Sequence, residues 1–394
     1  MTAQFLIIGG GIAGLATALA LGRRGHRVDL LEQAGAFFEV GAGVQLGPNV
    51  TRRLRALGLD DPISRVAVRP DSLVVRRLKD GARIASMRLA KRFERRYGAP
   101  YICIHRADLH GVLQEASWEI DGVNLNTGVR VSAISAREDS VCAVMGESRA
   151  WEADALIGAD GVWSQVRSHM MQGAPVPGYT GHTAWRALVP MESLPAALRS
   201  VDVQIWLGPK VHAVAYPVRA GQAFNMVVVA ESPPLGDVRD WDQEDNIAAL
   251  HHAIGARCAG IMPLIEAMPA WRIWALNGCA PVAGPDEIAK ERIALVGDAA
   301  HPMVPYLAQG AGMAIEDAVA LADAVGEAGA NADMLPQALQ SYAQARWERS
   351  ARVQAQALRN GAVYHARGLK RLGRDLGLRL LGDRLLDAPW LYRG

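Results

Sequence analysis

Four apolar residues, Phe5 to Ile8, run into Gly9-Gly10-Gly11, and this pattern predicts a short strand buried on both faces. Residues 12–24 are rich in alanine and leucine with Gly25 behind them, which predicts a helix ended by that glycine. Residues 28–32 (VDLLE) form a second apolar run and a second buried strand. Strand, glycine turn, helix and strand in this order make the first half of a doubly wound sheet. Residues 41–58 predict a glycine-rich loop and a short basic helix, and residues 71–89 alternate in places as half-exposed strands do. Tyr101–Ile104 is strand-like and leads into a helix from His105 to Glu115, and the apolar run Ala155–Ala159 stops at Asp160-Gly161. The middle of the chain changes character. Val201–Leu207, Val211–Val218 and Ala223–Ala230, parted by Gly208-Pro209 and Ala220-Gly221, predict an antiparallel meander in a separate β-layer. Helices are expected over 245–257, 309–326 and 335–360, with a strand at Ile293–Val296 that completes the first sheet.

Composition narrows the class. A chain of 394 residues, half of them hydrophobic, is long enough for two or three structural units. This excludes a disordered chain, a collagen-like chain and a small disulfide scaffold. Lys and Arg number 42 against 40 Asp and Glu, so there is no bulk attraction for nucleic acid. Cys103, Cys142, Cys258 and Cys279 make no CxxC pair, which predicts reduced thiols and no metal site. Phe5 to Gly22 carries no charge, but no Lys or Arg precedes it and glycines interrupt it. It therefore suits neither a signal peptide nor a membrane span, and the expectation is a cytoplasmic protein with no membrane partner. Residues 345–394 hold 11 Lys and Arg against 4 acidic residues, spread along the segment as on a solvated helix or a dimer contact. Monomer and homodimer both stay open.

Three motifs carry chemistry. The first is Gly9-x-Gly11-x-x-Gly14, with Glu32 ending the next strand. The first glycine permits the tight turn, the second lets backbone approach a pyrophosphate, and the third lets helix pack on strand. Glu32 is spaced to accept from a ribose diol, so the unit reads as dinucleotide-binding, without separating FAD from NAD. The second motif is Asp160-Gly161-x-x-Ser164-x-x-Arg167, which alone is no more than a turn and a Ser-capped helix. The third, Gly297-Asp298-Ala299-Ala300-His301-Pro302 with Gln309 to Gly312, follows a buried strand, where open α/β sheets bind ligands. Asp298 could accept from ribityl or ribose hydroxyls, and the helix after Gly312 offers a positive pole to an anionic flavin ring.

In this order and at these separations the three motifs resemble those of the FAD-dependent aromatic hydroxylases of the para-hydroxybenzoate hydroxylase superfamily. GAGVQLGPN, YGAPYICIHRADLH, IGADGVWSQVR and GDAAHPMVPYLAQGAGMAIEDA resemble most the subgroup of salicylate hydroxylase, 6-hydroxynicotinate 3-monooxygenase and 3-hydroxybenzoate 6-hydroxylase. The resemblance runs over nearly the whole chain. It implies an α/β fold: a Rossmann-like FAD-binding domain of the GR2 type, interleaved with an antiparallel β-sheet substrate domain and followed by C-terminal helices. The expected bounds are 1–70, 100–172 and 280–335 for FAD, 71–99 and 173–279 for the substrate, and 336–394 for the helices. It implies FAD contacts at Gly9, Gly11, Ile12, Ala13, Gly14, Glu32, Gln33, Val44, Arg106, Val129, Asp160, Gly161, Asp298, Pro302, Gly310 and Ala311. Asp160 and Gly161 would also serve the reductant. Gln45, Trp185 and Pro302 would lie toward the substrate, together with His212 and Tyr216. Gln45, Ala300 and Trp185 stand where the hydroxynicotinate enzyme has histidine, cysteine and histidine, which favours a hydroxybenzoate-type ring.

Alternation along Val211–Val218 independently puts His212, Val214, Tyr216 and Val218 on one face. At ~3.3 Å per residue, His212 and Tyr216 lie about 13 Å apart along the strand. A histidine can take a phenol proton and a tyrosine can orient the ring; the alternation by itself equally suits a solvent-facing His212 and a core Tyr216, and it is the resemblance that makes this pair the catalytic expectation. The implied reaction reduces FAD with NADH or NADPH, adds O2, and transfers oxygen from a flavin hydroperoxide to a small aromatic acid. Arg186 and Arg83 are further candidates for holding a carboxylate. A hydroxylase of 6-hydroxynicotinate is the alternative. A non-hydroxylating flavoprotein oxidoreductase would share the opening motif but not all three motifs together.

Overall fold

The apolar run before the first glycines is the strand Gln4–Ile8, with Phe5, Leu6 and Ile7 fully buried. In this computed structural model, which describes residues 2–37, 41–146, 149–240, 243–245, 247–255, 258–327 and 331–394, that strand lies inside a six-stranded sheet. The order is Ala289–Lys290, Ile293–Leu295, Ala155–Gly158, Gln4–Ile8, Arg27–Leu31 and Val123–Asn126. Every pair is parallel except the first, a hairpin that brings the chain back late to complete the sheet. Helices cover both faces, as a parallel sheet requires. The helix Ile12–Gly22 is buried almost all round, against the helices Gly310–Glu327 and Arg106–Trp118. Gly25 follows it at φ +81°, a conformation that suits glycine after a helix end.

The central strands build an eight-stranded sheet. Its order is Gln243–Asp245, Trp271–Gly278, Gly178–Pro190, Ala223–Glu231, Val211–Val218, Val203–Gly208, Ser72–Arg77 and Arg83–Arg88. The three predicted meander strands are present and antiparallel. The layer as a whole is mixed rather than antiparallel, because Val203–Gly208 pairs in parallel with Ser72–Arg77. No hairpin joins those two, so no tight turn fixes their relative direction. One face carries Trp185, Ala213, Ala215, Phe224, Met226 and Val228, packed under Leu250, Ile254, Leu264 and Ile265. The other carries Ile205, Val214 and Tyr216 and meets Tyr101, Cys103, Met313 and the C-terminal segment.

A small antiparallel sheet of Ala133–Ala136, Val141–Met145 and Arg149–Ala153 lies in a stretch where periodicity predicts no element. The helix Leu335–Tyr364 then spans 30 residues and is followed by Gly368–Leu381. Among the described residues no helix is long and apolar enough to cross a membrane.

Candidate functional site

The first glycine turn is closed by contacts that admit no side chain. Gly9 sits at φ +108°, and a Cβ there would lie 2.4 Å from the Ala159 carbonyl oxygen. A Cβ on Gly14 would lie 1.9 Å from the Gly9 carbonyl oxygen. Gly11 caps the helix that Ile12 and Ala13 begin, so free N–H groups face the turn. Glu32 accepts from the Gly10 N–H at 2.7 Å through one carboxylate oxygen and from the Ala34 N–H at 2.8 Å through the other. The Val129 N–H donates to the Glu32 carbonyl at 2.8 Å, while Gln33 is exposed beside it. Glu32, Gln33 and Val129 therefore gather at one end of the cleft. His110, from the HRADLH stretch, donates its Nε2–H to the Gly10 carbonyl at 2.8 Å, a support that spacing did not reveal.

The second and third motifs are joined by a buried arginine. Arg167 donates to the carbonyls of Ala299 (2.9 Å), Asp298 (3.3 Å) and Val162 (2.6 Å). The Asp160 carboxylate accepts from Ser164 Oγ at 2.5 Å and from the N–H groups of Gln165 and Val166. It is committed to starting the helix Gln165–Met170. Gly161 follows at φ +77° with open space where a side chain would be.

Asp298 lies half-buried beyond the strand Ile293–Leu295. Burial raises its carboxyl, while His301, Arg106 and Arg167 act in the opposite sense. Arg106 reaches this region because it opens the helix Arg106–Trp118. Gly310 and Ala311 begin the helix Gly310–Glu327, and a Cβ on Gly310 would meet nothing within 4 Å. A helix start open in this way can receive anionic charge. The region thus offers a glycine cradle with the Glu32 carboxylate beside it, Arg106 and Asp298 near one another, and an open helix start. That donor set fits a flavin dinucleotide.

Beneath the glycine turns and the third motif is a buried charged group. Glu316 and Asp317 are fully buried. Arg346 donates to Glu316 at 2.9 Å and to Asp317 at 2.8 Å, and Arg349 adds bonds to Glu316 at 2.6 and 2.7 Å. Asn49 reaches Glu316 at 2.7 Å, and Asp317 also accepts from the Gly297 N–H and from His301. Burial would raise Glu316, but the Arg349 hydrogen bond and the charges of Arg346, Arg349 and Arg53 hold it down to about 2. The available signal is an adjacent pair of acids in an alanine-rich helix, with two arginines three residues apart in the next one.

The residues expected toward the substrate, Trp185 apart, lie on the second face of the large sheet. Tyr216 donates its hydroxyl to the Gly43 carbonyl at 2.6 Å, and Tyr101 donates to Gln45 Oε1 at 2.8 Å. Gln45 also hydrogen-bonds toward Tyr216, so two tyrosines bracket it on the strand Gly43–Leu46, beside half-buried Val44. His212 is buried, with Nδ1 2.8 Å from His365 Nε2 and its ring against Tyr306 and Tyr364. Burial pushes His212 well below its ordinary value and raises Tyr216, so both are neutral at physiological pH. Val214 stands between them on the same face, half-buried like Ile205, Leu188 and Met303, and these supply an apolar wall. Buried Pro302 opens the loop that carries Met303.

Trp185 does not share this face with His212 and Tyr216. It is fully buried on the opposite face of the sheet, because odd positions of its strand point away from the ring. Its neighbour Arg186 is on the ring-facing side, with its guanidinium 5.3 Å from the Trp274 ring. Arg83 is exposed on the edge strand.

Comparison with known proteins adds four findings. The family profile described as FAD binding domain matches residues 2–357. The chain is 38% identical over 391 residues to 3-hydroxybenzoate 6-hydroxylase of Polaromonas naphthalenivorans (strain CJ2), covering 98% of this chain and 95% of that one. It is 33% identical to 6-hydroxynicotinate 3-monooxygenase of Bordetella bronchiseptica, covering 89% of each. A salicylate hydroxylase substrate complex shares the fold with a TM-score of 0.83 at 24% identity, covering 100% of this chain and 96% of that one.

Proposed function

This chain belongs to the FAD-binding monooxygenase family, as a single-component aromatic hydroxylase that uses FAD, NAD(P)H and O2, and from that premise we propose that its substrate is a monohydroxybenzoate. Bound FAD supplies the redox chemistry, taking electrons from the nicotinamide and activating O2. The residues here do the rest. Gly9, Gly11 and Gly14 with the first turn of Ile12–Gly22 receive the pyrophosphate, and Glu32, Gln33 and Val129 the adenosine end. Arg106 and Asp298 hold the chain between, and Gly310 with Ala311 turns N–H groups toward the ring system. The same assignment divides the chain into an FAD unit of 1–70, 100–172 and 280–335, a substrate unit of 71–99 and 173–279, and a helical end from 336.

The observation that carries the substrate reading is the pairing of His212 and Tyr216 on one buried face across the half-exposed Val214. Tyr216 and Gln45 orient the ring. Neutral His212 takes the ring hydroxyl's proton, which makes the ortho and para carbons electron-rich toward an electrophilic oxygen. The apolar wall excludes water that would divert the oxidant. The Gln45 and Ala300 positions still argue for a benzoate over 6-hydroxynicotinate. Trp185 no longer contributes to that argument.

The test is a panel of 2-, 3- and 4-hydroxybenzoate and 6-hydroxynicotinate with the FAD-loaded enzyme, scored by identified product against NADH and NADPH consumed. The expected result is coupled hydroxylation of a monohydroxybenzoate, with 3-hydroxybenzoate first. Coupled product from 6-hydroxynicotinate alone would overturn the reading. Stimulated NAD(P)H oxidation that yields only peroxide counts against any compound as substrate.

A further inference from the structure

We infer that His212, His365 and the rim pair His182 and Glu231 form a proton exit from the ring pocket to solvent. The inference rests on the reading of His212 as the acceptor of the ring hydroxyl's proton.

His212 lies on the strand Val211–Val218, and His365 ends the helix Leu335–Tyr364, 153 positions later. Their nitrogens meet at 2.8 Å, and both side chains are buried. Backbone bonds dock this helix end on the sheet: the Lys210 N–H donates to the His365 carbonyl, and the Glu231 N–H donates to the Lys210 carbonyl. The His182 ring stands 4.8 Å from that of His365 at a steep angle. One polar side-chain atom from each of His182, Glu231 and His365 lies within 4.8 Å of the other two. That separation is within reach of one bridging water. The Nδ1 atoms of His365 and His182 have no hydrogen-bond partner. Glu231 is 31% exposed and paired with Lys210 and Arg367, so the route ends on an ionised carboxylate at the surface.

The surroundings make this a conduit rather than a store. Tyr306 and Tyr364 face His212, and Arg367 and Arg374 add positive charge near His365. Burial, then His182, pushes His365 down to about 4, and burial lowers His212 as well. Neither imidazolium is stable there, so a proton taken from a phenol must move on. The ring O–H breaks as an N–H forms at His212 Nε2. The His212 Nδ1–H breaks as an N–H forms at His365 Nε2. The His365 Nδ1 proton then passes to the Glu231 and His182 rim and to water. Both rings end neutral in their other tautomers, and transfer in reverse returns a proton to the product. The same three rim groups also have the spacing of a cation site. Glu231 already carries Lys210 and Arg367, however, and His365 is engaged with His212.

The test uses the FAD-loaded full chain mixed with 3-hydroxybenzoate below neutral pH, following the phenolate absorbance and, with an indicator dye, proton release. In His365→Gln and His365→Ala, phenolate formation should slow on the order of 10²-fold with little change in substrate affinity. Added imidazole should restore the rate in His365→Ala but not in His365→Gln. Phenolate formation at the parent rate in both variants, or slowing that imidazole leaves untouched, would overturn the exit. Slow His212→Gln beside unchanged His365 variants removes the exit and leaves the base reading standing. His212→Gln at the parent rate removes both, as does a parent enzyme that shows neither phenolate nor proton release.

Discussion

Arg346→Met tests whether the buried charges under the cleft hold the third motif in place. Arg346 is 5% exposed and donates to two carboxylates with no exposure of their own. Methionine keeps much of the volume and removes the charge. Removing one partner of a buried ion pair costs about 3–5 kcal/mol. At ~2.1 cal/mol/K per residue over 394 residues, the unfolding entropy is about 0.8 kcal/mol/K, so the midpoint should fall by about 4–6 °C. The sign with pH follows from Glu316. Its folded value of about 2 lies below an unfolded value near ~4.3, so its contribution is complete above about pH 5 and is lost as pH falls toward 2. In the variant both carboxylates lose a cation and take up protons at higher pH. The gap to the parent should therefore be widest at neutral pH and narrow toward pH ~4. Asp317 also receives the Gly297 N–H, so FAD retention should fall with stability. Thermal scans from pH 7 to 4 at fixed excess FAD read the first two effects, and flavin fluorescence after gel filtration reads the third. A midpoint within about 1 °C of the parent, or a gap independent of pH, would refute the reasoning.

Glu32→Ala removes the acceptor of the Gly10 N–H and should leave a purified protein depleted of flavin; full occupancy by absorbance would show that the carboxylate is dispensable. Trp185→Phe should cost stability, about 1–3 kcal/mol, with KM for the ring substrate unchanged, and a large KM change would return Trp185 to the pocket. Tyr216→Phe removes the hydroxyl bonded to the half-buried Gly43 carbonyl, at a cost of about 0.5–1.5 kcal/mol, and should lower kcat more than FAD affinity, as single-turnover product formation beside flavin titration would reveal.

Much of the cleft was legible in the chain itself. Gly9, Gly14 and Glu32 are local consequences of a strand, a turn and a helix, so their spacing suffices to place them. Two-residue alternation likewise placed His212 and Tyr216 on one face. The same alternation should have separated Trp185 from them, but facing requires knowing which strand pairs with which: Trp185 stands opposite Val228, more than 40 positions later, and Val228 stands opposite Ala213, not His212. The parallel pairing of Ser72–Arg77, the Asp160 carboxylate turned into its own helix, and the answer of Arg346 to Glu316 and Asp317 are likewise settled by contacts between distant segments. Short-range periodicity and turn chemistry determine what each segment becomes. Only the packed structure decides which side chains share a face, and so which of them reach a ligand and which hold up the floor beneath it.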